Sequence, residues 1–289
     1  MTYITEINKI MHETVHKRKA TVNKNKFTEP KYTEVLSVEF PSALKKSKRL
    51  PHNIKFGGCF IHQSPKAEFV STHRNKSCEL GDLLVFVRKM TIDGERFNAA
   101  LVQLKKTTSK TIAVKGDGDL KQLYLYEKWP CFNISQLGHQ YNIFPKTVTK
   151  GGVYSIILEK SGIFSQIYYS LPISSMQCDR DKTFGRFIAN MIDWKAGRTV
   201  ADEKNKDTDE WSRLIWDTIR LVEHKTFNAN SRLAGHSKSS INFLQMILKY
   251  SLSDGEITPS ENKSNNEESD SGFGILFVEV DERERSLEQ

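Results

Sequence analysis

Short apolar runs separated by Gly, Pro, Asn and Ser occupy residues 54 to 107, a pattern typical of β-strands. The runs read IKFGGCFIHQSP, AEFVST, ELGDLLVFV and FNAALVQLKK. VYSIILE, FSQIYYSLPI and FGILFVEV have the same character further along the chain. The pattern predicts a β-sheet that begins near Ile54 and is completed by a strand close to the C-terminus.

Helices are predicted where apolar residues recur at a spacing of three or four. Such stripes occur at Ile7–Val15, in LKQLYLYEKW before Pro130, from Phe184 to Ile192 behind a Thr183 cap, from Trp211 to Val222, and in INFLQMILKYSL. Two stretches lack a clear period. We expect YTEVLSVEFPSALKKSKRLP to be a mixed element interrupted at Pro41 and Pro51, and GDGD at 116–119 to be a polar loop.

The order of these elements predicts an α/β fold in three parts. Residues 1–50 form a basic helical lead-in, residues 51–180 a core rich in strands, and residues 181–289 a helical extension with a final strand. Residues 254–271 are almost free of apolar side chains, so they are predicted to be a disordered excursion. The last strand then returns to the fold.

Composition narrows the classes of protein that the chain can belong to. No apolar run approaches the roughly 18 residues of a membrane span, and the N-terminus lacks the apolar block of a secretory signal. The four cysteines, Cys59, Cys78, Cys131 and Cys178, form no CxxC pair. We therefore expect a cytoplasmic protein with reduced thiols and no contact with a membrane.

The net charge of +8 is distributed unevenly along the chain. Residues 251–289 hold 11 acidic and 3 basic residues, which leaves about +16 on residues 1–250. A strongly basic body attracts polyanions through phosphate contacts and the release of counterions. Nucleic acid is thus the class of partner that the charge favours.

Three polar residues interrupt the apolar runs at 78–87 and 97–106. If Asp93 and Gly94 are the central residues of a tight turn, Asp82 faces Lys105 on the neighbouring strand. Gln103 shares their face, because side chains alternate along a strand. Opposed Cβ atoms lie about 5 Å apart and diagonal ones about 7 to 8 Å. The three polar tips are therefore predicted to converge.

Convergence of these groups suits phosphodiester hydrolysis. A carboxylate and an amide carbonyl are hard oxygen ligands for Mg²⁺ or Mn²⁺, and such an ion polarises phosphate and acidifies a bound water. An ammonium group can orient that water or offset charge that grows on the phosphate. Asp82 and Gln103 are accordingly the predicted metal ligands, and Asp82, Gln103 and Lys105 the predicted catalytic set.

In this arrangement the sequence resembles the PD-(D/E)XK, restriction-endonuclease-like superfamily in its Q-x-K variant. Asp82 matches the aspartate of the second strand, Gln103 stands where Glu or Asp is more usual, and Lys105 matches the motif lysine. ELGD at Glu79–Asp82 followed by LVQLK also looks like nucleases of prokaryotic antiphage defence systems. The resemblance covers about Phe56 to Trp129. It implies an α/β/α core with a mixed sheet, and a DNA endonuclease effector that joins a sensor or an ATPase or helicase subunit in an oligomer or complex.

The motif leaves two questions open. A neutral Gln103 calls for a further acid, for which Glu79 and Glu34 are the candidates, with Glu39 behind them. Six other D/E-x-K tripeptides begin at Glu29, Asp119, Asp193, Asp202, Glu223 and Glu261. We set them aside because none ends an apolar strand paired with one that carries a carboxylate.

Other interpretations remain open at this stage. His62, Lys106 and Lys115 are candidate contacts to a nucleic-acid backbone. Cys59, His62, His73 and Cys78 have a spacing that zinc accepts in principle. The chain could also be a nuclease-like subunit without activity that binds nucleic acid or assembles a complex, or a basic scaffold in which Asp82 and Lys105 form only an ion pair.

Overall fold

The central element of the fold is a mixed β-sheet, which we describe from a computed structural model of residues 3–22, 27–70, 77–146, 149–159, 165–228 and 271–283. Within these ranges the chain is a mixed α/β protein. INFLQMILKYSL and most of the predicted excursion at 254–271 lie outside the described residues. No helix in these ranges is both long and apolar enough to cross a membrane.

The described residues form six α-helices and thirteen β-strands. The helices are α1 (Tyr3–Thr21), α2 (Glu29–Glu34), α3 (Phe40–Leu44), α4 (Asp117–Lys128), α5 (Phe184–Ile192) and α6 (Glu210–Asn228). The strands are β1 (Ile54–Ile61), β2 (Lys66–Phe69), β3 (Ser77–Glu79), β4 (Leu83–Thr91), β5 (Gly94–Thr107), β6 (Thr111–Ala113), β7 (Phe132–Ile134), β8 (Gln140–Tyr141), β9 (Gly152–Glu159), β10 (Ser165–Ser170), β11 (Ser175–Gln177), β12 (Arg198–Val200) and β13 (Phe273–Asp281). A π-helical turn at Val35–Glu39 joins α2 to α3, and 3₁₀ turns lie at Thr149–Gly151 and Glu203–Thr208.

The sheet has the strand order β1-β13-β4-β5-β9-β10, and β12 also pairs with β5. β4 and β5 form an antiparallel hairpin, whereas β5 and β9 are parallel and are joined through α4. β13 lies between β1 and β4, antiparallel to the first and parallel to the second. The strand predicted at FGILFVEV is therefore an interior strand of the sheet.

Helices cover both faces of the sheet, which gives three layers. On one face, Leu101 and the alternate residues of its neighbours pack under α4 and α6. On the other face, Val102 and its alternates pack under α1, α2, α3 and α5. Both faces of β4 and β5 are buried, which explains why these strands read as nearly continuous apolar runs.

Several predicted elements are present with the expected ends. Thr183 caps α5, since its hydroxyl accepts a hydrogen bond from the N–H of Arg186 at 3.3 Å. Two predictions are wrong. The chain stays helical from Glu29 to Leu44 through Pro41, because the π-helical turn directly before it already interrupts the regular α-helical hydrogen bonds. GDGD is not wholly a loop, because α4 begins at Asp117.

Candidate active site

The candidate site lies at one end of the sheet, where β5 extends beyond β4. β4 begins at Leu83, which pairs with Val102, whereas β5 continues to Thr107. On its other side β5 stays paired with β9 as far as Thr107. The last residues of β5 therefore have one edge that β4 does not cover, and the loop that carries Asp82 fills it.

The hairpin register differs from the prediction by two residues. Thr91 pairs with Gly94, so the central residues of the turn are Ile92 and Asp93 rather than Asp93 and Gly94. The prediction that Asp82 faces Lys105 is wrong: continuation of the ladder places Asp82 opposite Gln103. A shift of two keeps the alternation of faces, so Asp82, Gln103 and Lys105 still share one face of the sheet.

The backbone around Asp82 is fixed on both sides. Its N–H donates to the carbonyl of Val102 at 2.9 Å, and its carbonyl accepts from the N–H of Gly274 at 2.8 Å. The preceding residue, Gly81, allows a close approach, because a Cβ there would lie 2.6 Å from the hydroxyl oxygen of Tyr126. That hydroxyl donates to the carbonyl of Leu80 at 2.9 Å. The glycine of ELGD thus lets α4 hold the loop against the sheet.

The Asp82 carboxylate is buried, with 5% of the residue exposed. Its Oδ2 atom accepts from Gln103 Nε2 at 2.5 Å and from the N–H of Leu104 at 2.6 Å. Desolvation raises the pKa of Asp82 well above its usual value, and the nearby Glu79 carboxylate adds to this, against the opposing hydrogen bond from Leu104. A carboxyl group in this setting favours either a proton or a cation beside it.

Gln103 presents an unsatisfied oxygen at the same place. The residue is 4% exposed, and its Oε1 atom has no hydrogen-bond partner in the described structure. Tyr154, its register partner on β9, is fully buried, and its hydroxyl also lacks a partner. Buried polar groups are normally paired, so two such atoms on adjacent strands indicate a place built for a further polar group.

Lys105 is held by a helix rather than by Asp82. Its Nζ atom donates to Asp119 Oδ1 in the first turn of α4, at 2.6 Å. Desolvation lowers the pKa of Lys105, but the hydrogen bond to Asp119 and the Glu29 carboxylate outweigh it, so the pKa lies above its usual value. The ammonium group is therefore charged at neutral pH, and one fifth of the side chain remains exposed.

Glu79, one of the predicted additional acids, lies close enough to act on the site. Glu79 is the last residue of β3, which belongs to a small sheet separate from β4. Side-chain alternation along a single strand therefore does not force Glu79 and Asp82 onto opposite faces. Desolvation raises its pKa, and the Lys105 ammonium opposes that rise. Glu79 also raises the pKa of Asp82, which places both carboxylates in one electrostatic cluster.

Glu34, the other predicted acid, is directed elsewhere. Its two carboxylate oxygens contact Arg18 Nη2 at 3.6 Å and Lys31 Nζ at 3.1 Å. Glu39, the reserve candidate, also binds Arg18, at 3.2 Å. The α2 residue that reaches the end of the sheet is Glu29, whose Oε1 atom accepts from the N–H of Lys106 at 2.9 Å.

Sequence reasoning missed two acids at this site, Glu29 and Asp119. Each is the first residue of a D/E-x-K tripeptide that lies outside the predicted apolar strands. Proline at the second position of a helix and acids in its first turn were available signals, since Glu29-Pro30 and Asp117–Asp119 both begin helices.

The three predicted nucleic-acid contacts lie at different places. His62 directly follows β1, at the end of the sheet that also holds Asp82, and its ring packs edge-on against Phe60. Lys106 donates to the carbonyl of Phe27 at 3.2 Å and lies 3.7 Å from Glu159. Lys115 is exposed just before α4.

No group of three or more His, Cys, Asp or Glu side chains in the described part of the chain is arranged to hold a metal. A cation at the candidate site would therefore have to use the amide oxygen of Gln103 as well. Of the possible zinc ligands, Cys59 is buried in β1, and burial raises the pKa of its thiol to about 12. His73 lies outside the described residues.

Comparison with known proteins gives no match. No protein-family model matches the chain, and no significant match was found among curated proteins or solved structures. The function of this site must therefore be inferred from its own residues.

Proposed function

We propose that the protein is a Mg²⁺- or Mn²⁺-dependent nuclease of the PD-(D/E)XK type, in its Q-x-K variant, with a restriction-endonuclease-like core. We propose duplex DNA as its substrate and an effector role in a prokaryotic antiphage defence system. One observation carries the proposal. A buried Asp82 carboxylate contacts the Gln103 amide where β5 extends beyond β4, and Lys105 lies two residues further along the same strand face.

The residues present fit a hard dication. Both hydrogen bonds to Asp82 are accepted by Oδ2, so among the described residues its Oδ1 atom accepts none. Gln103 Oε1 is equally without a partner. Glu79 and Glu29 add negative charge nearby, and both raise the pKa of Asp82. Mg²⁺ commonly binds through one or two protein oxygens, with waters and phosphate oxygens completing its octahedral shell.

The chemistry follows from the charges around the site. When bound, the dication supplies Lewis-acid polarisation of phosphate and a more acidic water. Lys105 supplies a fixed positive charge that can orient the attacking water or offset charge on the phosphate. Asp119 acts through Lys105, because it positions the ammonium from the first turn of α4. Asp82 and Gln103 would hold the ion.

The proposed substrate rests on charge. About +16 is carried by residues 1–250, which suits a polyanion better than a small neutral ligand. His62, Lys106 and Lys115 are the proposed contacts to the nucleic-acid backbone. A sensor or an ATPase or helicase subunit is the proposed partner, and we propose that the protein works as part of an oligomer or complex.

The test is cleavage of supercoiled plasmid, linear duplex and RNA in Mg²⁺, Mn²⁺ or EDTA. Asp82→Ala and Lys105→Ala should each reduce metal-dependent cleavage by about 10²-fold or more, because each removes a group that acts on the reacting phosphate. Glu29→Gln should reduce it by about tenfold through weaker metal binding. Glu34→Gln and Lys195→Ala are the matched controls and should change the rate by less than about twofold.

A second function is favoured by a different observation. Lys105 donates a hydrogen bond to Asp119, and no group of three or more His, Cys, Asp or Glu side chains in the described residues could hold a metal ion. Both features suit a nuclease-like subunit that binds nucleic acid or assembles a complex without cleaving. Tight, salt-sensitive binding that Asp82→Ala leaves unchanged, with no cleavage in any metal, would establish this alternative and reject the nuclease.

A further inference from the structure

A second charged region lies towards the hairpin end of β5. β12 pairs with β5 there, with Arg198 opposite Ala99, roughly 13 Å along the strand from Gln103. An open cleft of about 510 Å³ lies beside it, and its lining includes Lys150, Trp194, Arg198, Thr199 and Asp209. This volume is within the range of clefts that bind ligands of nucleotide size.

Arg198 is the main cation of the cleft. Its side chain is half-buried and stacks on Trp211, with the guanidinium carbon 5.5 Å from the ring centroid. Nη2 donates to the carbonyl of Phe144, but Nη1 is buried and has no acceptor among the described residues. Desolvation lowers the pKa of Arg198, and Asp209 only partly opposes this. A desolvated guanidinium without a close carboxylate favours an anion.

Other cations surround the same cleft. Lys150 is exposed, and no Asp or Glu oxygen lies within 4 Å of its ammonium in the described part of the chain. Behind the lining, Arg96 lies over the ring of Trp194, 5.3 Å from its centroid. Lys89 lies over the same ring, but it is paired with Glu282 at 2.8 Å. Lys150 and Arg198 are therefore the cations that the cleft offers to a ligand.

Trp194 lines the cleft in an unusual backbone conformation. It follows α5 in the left-handed region, with φ of 60°, at a position where helices usually place glycine. A bulky side chain is sterically disfavoured in this conformation. Its indole Nε1–H is buried without an acceptor in the described structure. The cleft thus contains two residues with unsatisfied N–H donors, Trp194 and Arg198.

Asp209 is the one acid in the lining, and it is already occupied. Its Oδ1 atom accepts from the N–H groups of Trp211 and Ser212, both at 3.0 Å, at the start of α6. Its Oδ2 atom accepts from the Ser212 hydroxyl. The dipole of the helix and these three donors offset much of its charge. Asp209 therefore weakens the attraction for an anion without cancelling it.

We propose that this cleft binds the phosphate of a nucleotide-sized ligand, supplied either as a free nucleotide or as one unit of a nucleic-acid strand. Arg198 and Lys150 contact the phosphate, and the remaining volume accepts the rest of the ligand. The site shares no residue with the proposed nuclease centre. It therefore stands whether or not the chain cleaves nucleic acid.

The test measures binding by titration calorimetry, with the full chain carrying Asp82→Ala, in EDTA. The probes are AMP, adenosine, inorganic phosphate and a short 5′-phosphorylated oligothymidine. Thr199 is exposed on β12 and lines the cleft, so Thr199→Glu adds a negative charge without removing a buried group. We expect that variant to weaken binding by about tenfold or more, with Thr199→Gln as its matched control within about twofold. Lys150→Ala should also weaken binding, whereas Lys195→Ala should not.

The outcomes separate cleanly. AMP binding that responds to Thr199→Glu identifies a free nucleotide as the source, and oligonucleotide binding with the same response, without AMP binding, identifies a strand. If inorganic phosphate binds as tightly as either AMP or the oligonucleotide, the proposal that the ligand is of nucleotide size is wrong. No binding of any probe, or equal binding by the Glu and Gln variants, would overturn the site.

Discussion

The two ends of β5 hold charged groups of opposite sign that are incompletely paired. At the Gln103 end, Asp82 is a desolvated carboxylate beside Glu79, and a neutral amide is its contact across the strands. At the Ala99 end, Arg198 is a half-buried guanidinium whose nearest structural contacts are a carbonyl and an indole ring. Both ends depart from the usual rule that buried charges are paired.

The difference in sign points to two different ligands. A desolvated carboxylate is stabilised by a cation, and a desolvated guanidinium by an anion, so one strand connects a proposed metal site to a proposed phosphate site. The two ends differ in packing as well. Asp82 and Gln103 are almost fully enclosed, whereas the Arg198 cleft is open. Changes at the Asp82 end should therefore have the larger effects on stability.

The largest expected effect comes from Gln103→Glu, which increases the charge contrast between the two ends. A second carboxylate would then lie within hydrogen-bond distance of Asp82, and the free energy of unfolding without metal should fall by about 3 kcal/mol at pH 8. Mn²⁺ should restore more stability to this variant than to the wild type, because the site gains an anionic ligand. Thermal unfolding with and without Mn²⁺ measures both changes.

Gln103→Met serves as the control for that experiment, since it removes the amide without adding charge. At pH 5 the penalty of Gln103→Glu should shrink, because a shared proton relieves the repulsion between the two carboxyl groups. A loss of stability that Mn²⁺ does not reverse would show that the two side chains cannot hold one ion between them.

The site around Asp82 is more predictable from the sequence than the cleft around Arg198. Asp82, Gln103 and Lys105 interrupt apolar runs, and strand alternation depends only on the parity of the register. A two-residue error in the turn therefore changed the partner of Asp82 but not the face it shares with Gln103. The α/β class and a final strand that returns to the fold also followed from apolar patterning, whereas the interior place of β13 in the sheet did not.

What the sequence could not show depends on contacts between distant segments. Glu29 reaches Lys106, and Arg198 reaches Phe144, across long stretches of chain. Pro41 indicated an interruption that the helical segment accommodates. The cleft is lined by the turn after α5, by β12, and by the 3₁₀ turn that contains Lys150, which is distant from the first two in sequence. No short sequence motif therefore predicts it.

A smaller effect is expected from Asp82→Asn, which removes the charge contrast at the acidic end. The folded-state pKa of Asp82 lies above its unfolded value, so its contribution to stability is complete below the unfolded pKa and is lost as pH rises through the folded one. Asparagine lacks this loss. The variant should equal the wild type near pH 4 and exceed it at pH 8 by about 1 kcal/mol or more, since each pKa unit corresponds to about 1.4 kcal/mol.

Urea unfolding across that pH range measures the difference. Glu79→Gln is a useful companion, because loss of its carboxylate lowers the pKa of Asp82 and should reduce the advantage of Asp82→Asn at pH 8. An advantage that is the same at both pH values would mean that Asp82 keeps an ordinary pKa in the folded protein.

The smallest expected effect comes from Asp119→Asn, which tests whether Asp119 controls the charge of Lys105, the proposed catalytic cation. The Asp119–Lys105 pair is partly exposed, so its loss should lower the free energy of unfolding by less than about 1 kcal/mol. The pKa of Lys105 should fall, because desolvation then acts with less opposition, and the fall in cleavage rate at high pH should begin at a lower pH. Asp117→Asn, whose carboxylate contacts Lys121 in the same helical turn, should leave the profile unmoved. If Asp119→Asn also left the pH dependence of the cleavage rate unchanged, Lys105 would have no direct role in cleavage, even if the variant lost activity.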